Sequence, residues 1–95
     1  MNELLTELIY IYRQTGNSYR GDDGREYFKD DDYNAYMASL LCDEYLITKN
    51  GVPNWDNIKV LRNVGYQVFP GEKDGFGWLT GCVRKNDDTR ILVFG

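Results

Sequence analysis

Asn54-Trp55-Asp56-Asn57-Ile58-Lys59-Val60-Leu61-Arg62-Asn63-Val64-Gly65 is the stretch on which the fold turns. Read with the helical period, Asn54 caps a helix that buries Trp55, Ile58, Leu61 and Val64, and Gly65 ends it. Read with period two, Ile58, Val60, Val64, Tyr66 and Val68 make a strand interrupted only by Arg62. The end signals favour the helix. The chain then has three helices, against two on the other reading.

Downstream the texture is that of strands. Residues 66–69, 76–83 and 90–94 are rich in aromatic and β-branched side chains, and 70–75 and 85–89 are separators of hairpin length. They predict a three-stranded antiparallel meander, which needs helices on its apolar face to be stable in water. Gly77 and Gly81 inside the middle strand predict a bulge or a close backbone approach.

Upstream, Asn50-Gly51 and Pro53 mark a turn, with a short strand at 45–48 as an option. Asp30-Asp31-Asp32 precedes Tyr33, Tyr36, Met37, Leu40, Leu41 and Tyr45, whose spacing describes one face of a helix. One of the three aspartates caps its free N–H groups. Residues 15–29 are rich in Gly, Asp and Arg and predict a surface loop with a short turn at Glu26-Tyr27-Phe28. Before it, Leu4, Leu5, Leu8, Ile9, Ile11 and Tyr12 give a first helix over 3–14 that stops at Gly16. The fold class is therefore α+β, with two or three helices packed on a C-terminal three-stranded antiparallel β-meander. At 95 residues, one core and a single domain over 1–95 are expected.

Fifteen Asp and Glu oppose 11 Lys and Arg, for a net charge of -4. That sign disfavours nucleic acid and anionic membrane surfaces, and the cations are scattered, with Arg84-Lys85 the only adjacent pair. Glu3 and Glu7 stand where a secretory signal is basic, and no apolar run approaches a membrane span, so a cytoplasmic protein is expected. Cys42 and Cys82 then read as small buried thiols.

No histidine is present, which removes the commonest general base and metal ligand. Two cysteines without paired spacing do not predict zinc, and no register of the acids fits an EF-hand loop. Gly16 and Gly21 have the separation of a phosphate loop, but Asp22-Asp23 stands where that motif needs Lys and Ser or Thr. Arg20-Gly21-Asp22 spells an adhesion tripeptide, but no export is expected of this chain. Neither a catalytic set, a metal site nor a cofactor is expected.

What remains is acidity and tyrosine. Asp22, Asp23, Glu26, Asp30, Asp31 and Asp32 fall within eleven residues, at the long loop and the start of the second helix. Tyr33, Tyr36 and Tyr45 read as core, whereas Tyr19 and Tyr27 lie off any helical face and are interface candidates. Tyr19, Asp22, Asp23, Glu26, Tyr27, Asp30, Asp31 and Asp32 are accordingly the expected partner-binding residues, for a non-enzymatic protein that binds a basic protein partner. One form of that reading is an inhibitor that mimics nucleic acid. The alternatives are a small-ligand domain, with a pocket between helices and sheet lined by Trp55, Phe76, Trp78 and Arg62 or Arg84, and a subunit of a larger assembly.

Overall fold

The computed structural model describes residues 3–29, 31–71 and 81–95. Among them are three helices, α1 (Glu3–Gln14), α2 (Tyr33–Leu46) and α3 (Trp55–Asn63), and five strands. The strands are β1 (Ser18–Arg20), β2 (Glu26–Phe28), β3 (Tyr66–Phe69), β4 (Gly81–Lys85) and β5 (Arg90–Phe94). They form one sheet in the order β1-β2-β5-β4-β3.

The stretch at 54–65 is a helix. Asn54 caps it by accepting a hydrogen bond from the Asn57 N–H at 3.2 Å, and Gly65 follows its end at φ +102. Only Ile58 and Leu61 of the expected face are buried, while Trp55 and Val64 are exposed. At 3.6 residues per turn a step of three falls about 60° short of a full turn. Three such steps carry the face about halfway round the helix, so one sheet cannot cover all four positions.

The C-terminal strands pair as an antiparallel meander, β3 with β4 and β4 with β5. The expected limit of three strands is corrected by the N-terminal half. The segment expected to be an irregular loop contains the antiparallel hairpin β1–β2, and β2 pairs parallel to β5 through Glu26↔Arg90 and Tyr27↔Ile91. The sheet is thus mixed and five-stranded. Residues 76–80 of the expected middle strand, with Gly77, lie outside the described residues. Gly81 does mark a close approach: a Cβ there would stand 2.6 Å from both the Phe69 carbonyl oxygen and the Phe94 ring.

The strand option at 45–48 gives way to helix, since α2 continues to Leu46 and Ile47 makes only a single bridge to Pro53. Helix α1 ends at Gln14, and the following Thr15 closes it with a hydroxyl that donates to the Tyr12 carbonyl at 2.7 Å, rather than a left-handed Gly16.

Helix α2 buries only part of the expected face. Leu41 and Tyr45 are buried as expected, together with Ala35, Ala38, Cys42 and Leu46, whereas Leu40 is exposed and Tyr33 and Tyr36 are 72% and 56% exposed. The small side chains at 35 and 38 let α2 lie close against both α1 and β5. Size, not apolarity alone, selected the buried face. Tyr66, Val68, Val83, Leu92 and Phe94 of the sheet join Leu5, Leu8 and Tyr12 of α1 in one core.

The register fixes what the other sheet face carries. Tyr19, Tyr27 and Ile91 share one row, and Val93, Cys82 and Phe69 share the next. None of these belongs to the core formed with the helices.

Candidate partner-binding site

The β1–β2 hairpin owes its shape to its own turn. Gly21 and Arg25 close it through an N–H to carbonyl bond of 2.7 Å, and Gly24 takes φ +80, a conformation that glycine adopts without strain. Asp23 sits inside this turn. It accepts hydrogen bonds from the Tyr27 hydroxyl at 2.6 Å and the Arg25 N–H at 3.0 Å, with the Arg25 guanidinium 4.0 Å away. The Tyr27 bond, helped by Arg25, holds the Asp23 carboxyl below its ordinary pKa; the same bond raises the Tyr27 phenol against the opposing pull of Arg25.

Two anchors set the base of the hairpin. Asp32 is buried, and its carboxylate accepts from the N–H groups of Ala35 at 3.0 Å, Asn17 at 3.1 Å and Gly16 at 3.2 Å. One residue therefore caps α2 and ties the end of α1 to it. Burial works to raise its pKa, but the N–H groups of Ala35, Asn17 and Gly16 outweigh it and the pKa is lowered.

The second anchor is Arg90, whose guanidinium holds Asp88 through two bonds of 3.0 and 3.1 Å and donates to the Thr15 carbonyl at 3.1 Å. It also lies 4.8 Å from the centre of the Phe28 ring. Tyr12 completes the support, meeting Phe28 and Tyr66 edge-on at 5.4 and 5.3 Å while its hydroxyl accepts from the Lys85 N–H at 2.9 Å.

Held in this way, Tyr19 and Tyr27 stack with centres 5.8 Å apart and planes 28° from parallel. Beyond the last paired residue of β2, a cleft of about 200 Å³ opens between the hairpin, α2 and β5. Tyr19, Tyr27, Lys29, Tyr36, Ser39 and Val93 line it. The Ser39 hydroxyl donates to the Val93 carbonyl and so occupies a group of β5 that β2 is too short to reach.

The expected site residues are only partly brought together. Tyr19, Tyr27 and Asp23 form one cluster, and Asp22 lies exposed in the same turn. Glu26 accepts from the Thr89 hydroxyl at 3.1 Å, on the strand face opposite Tyr27. Asp31 is exposed beside the start of α2, Asp32 is turned inward, and Asp30 lies outside the described residues. Tyr36, Lys29, Ser39 and Val93 were missed. The signal for Tyr36 was present in Ala35 and Ala38, which mark the buried side of α2 and leave Tyr36 on the other.

No family model, curated protein or solved structure matches the chain.

The residues of the small-ligand alternative are dispersed. Trp55 is exposed at the start of α3, Arg62 donates to the Val68 carbonyl at 2.7 Å, and Phe76 and Trp78 lie outside the described residues. Arg84 faces a separate cavity on the sheet. Among the described residues no three Cys, Asp or Glu side chains gather as metal ligands, and no helix is long and apolar enough to cross a membrane.

Proposed function

We propose that this chain is a non-enzymatic protein-binding module that receives a basic segment of a partner protein in the cleft between the β1–β2 hairpin and α2. The stacked Tyr19–Tyr27 pair, with Tyr36 across the cleft, carries this reading. Tyrosine rings offer broad, rigid area to a docking segment, and their faces attract Lys and Arg side chains. Tyr19 and Tyr36 are 47% and 56% exposed and line the same cleft, so both rings offer free area to a docking segment.

Charge supplies direction. The net charge of -4 draws a basic partner from a distance, and Asp22 in the hairpin's turn and Asp31 before α2 are exposed. Within the hairpin, Arg20, Arg25 and Lys29 alternate with Asp22, Asp23 and Glu26. This interleaving favours a protein segment over mimicry of nucleic acid, which needs an unbroken acidic stripe. Cys42 and Cys82 are unpaired thiols, which fits a reducing, cytosolic setting.

The test is to identify the partner by capture from cells that make the chain, then to measure the purified pair. Tyr19→Ala and Tyr36→Ala should each weaken binding by about tenfold, the scale of a moderate interface hot spot. Affinity should also fall as salt rises. A partner whose affinity ignores both substitutions and the salt would refute the reading.

A further inference from the structure

The sheet face opposite the helices holds a second concavity, separate from the tyrosine cleft. It measures about 430 Å³ and is lined by Arg25, Phe69, Cys82, Val83, Arg84 and Ile91. This is within the size range of small-molecule sites, roughly 300–1,000 Å³. Its make-up follows from the pairing. Phe69 and Cys82 are direct cross-strand partners, and Arg84 stands two residues along β4 on the same face. Arg25 reaches that face from the far side of β5, since it precedes Tyr27 by two residues and Tyr27 pairs with Ile91.

Two guanidinium groups from distant parts of the chain therefore converge on one apolar floor. Both act electrostatically on the half-buried Cys82 thiol at one end of that floor; burial nonetheless keeps its pKa raised. Arg84 is oriented by its Nε–H bond of 2.5 Å to the Gln67 side-chain oxygen, and no carboxylate pairs with it among the described residues. Among the described residues Arg25 has only the 4.0 Å approach of Asp23 as an ion pair, with its side chain 67% exposed. A cation held in place with no carboxylate paired to it among the described residues, beside a second that is weakly engaged, is the arrangement that recognises an oxyanion. Phe69, 56% exposed, and Ile91 supply the apolar wall.

The geometry points to a binding site for a small organic anion, a carboxylate or phosphate group carried on a flat apolar body, with Arg25 and Arg84 holding the oxygens and Phe69 and Ile91 the body. The negative net charge does not oppose this at close range, because salt screens exposed charges beyond about 8–10 Å. The inference does not rest on the tyrosine cleft having a protein partner.

The experiment is an amide-resolved NMR titration of the full chain with naphthoate, naphthyl phosphate, inorganic phosphate and the neutral naphthalenemethanol. Saturable shifts at Cys82, Arg84 and Ile91 are expected from an anionic naphthyl compound, and the stronger of the two identifies the headgroup. The neutral alcohol and inorganic phosphate should each bind at least about tenfold more weakly, the scale of a charge-assisted hydrogen bond. Arg84→Gln should weaken the preferred compound by a similar factor with the remaining spectrum unchanged. Arg25→Gln, at an exposed position, provides the same test if Arg84→Gln does not fold. Absence of saturation, equal binding of the alcohol, shifts confined to other surfaces, or indifference to the arginine substitutions would overturn the assignment.

Discussion

Asp32 shows how much a single side chain can settle. Three backbone N–H groups from two separate segments end on its carboxylate, so its removal leaves α2 uncapped and the end of α1 untethered. Asp32→Ala should cost about 2 kcal/mol, at the upper end for a helix cap because of the added long-range bonds, as measured by urea unfolding. Asp31→Ala, at an exposed position, should change stability by less than about 0.5 kcal/mol. The run of three aspartates announces a cap in the sequence but not which residue serves. That choice depends on where Gly16 and Asn17 lie, and a one-dimensional pattern carries no record of it. The same limit governs Tyr36, whose apolar ring reads as core until Ala35 and Ala38 are allowed to define the buried side.

At the scale of elements, legibility follows locality. Helix α3 could be read because its cap, its stop and its apolar positions all lie within twelve residues. The β1–β2 hairpin could not, because each strand has only three residues and β2's other partner, β5, lies more than sixty residues away. Its glycines were visible as turn formers, yet the turn they build joins two strands instead of leaving a loop. Two substitutions separate local from long-range support. Gly24→Ala meets no neighbour but must hold φ +80, and should cost about 1 kcal/mol. Gly81→Ala keeps ordinary backbone angles but meets the Phe69 carbonyl and the Phe94 ring at 2.6 Å, and should cost about 1–3 kcal/mol. Thermal unfolding of both variants provides the comparison. Equal losses would mean that the β3–β4 approach is looser than its geometry indicates.

At the scale of the molecule, Arg90 joins the end of α1, the β4–β5 turn and the ring of β2's Phe28. Arg90→Met retains the stem and removes every one of those bonds. It should destabilise by about 2–3 kcal/mol, the range for charged hydrogen bonds, when unfolding is followed in denaturant near neutral pH. The α+β class and the three helices were legible in composition and periodicity, but this cross-chain fastening was not. Arg90 looks in sequence like the polar start of a strand.

Two aspartates extend the same argument to pH. Burial raises the Asp43 pKa, only partly offset by the Gly95 N–H, so between the unfolded pKa and the raised folded one the folded chain binds a proton that the unfolded chain has released. Stability must then fall as pH rises above the unfolded value near 3.9. Asp43→Asn should therefore raise the melting temperature at neutral pH and lose that advantage at about pH 3. Asp88 behaves in the opposite sense. Burial opposes its charge, but the bonds from Arg90 prevail and its pKa is lowered, so its contribution is present above about pH 4 and lost on acidification. Asp88→Asn should destabilise most at neutral pH and least in acid. Melting curves of the two variants and the parent at about pH 3 and 7 should show differences of opposite sign that both shrink towards acid. If the two variants shifted in the same direction at neutral pH, net charge rather than these two local environments would be controlling acid stability.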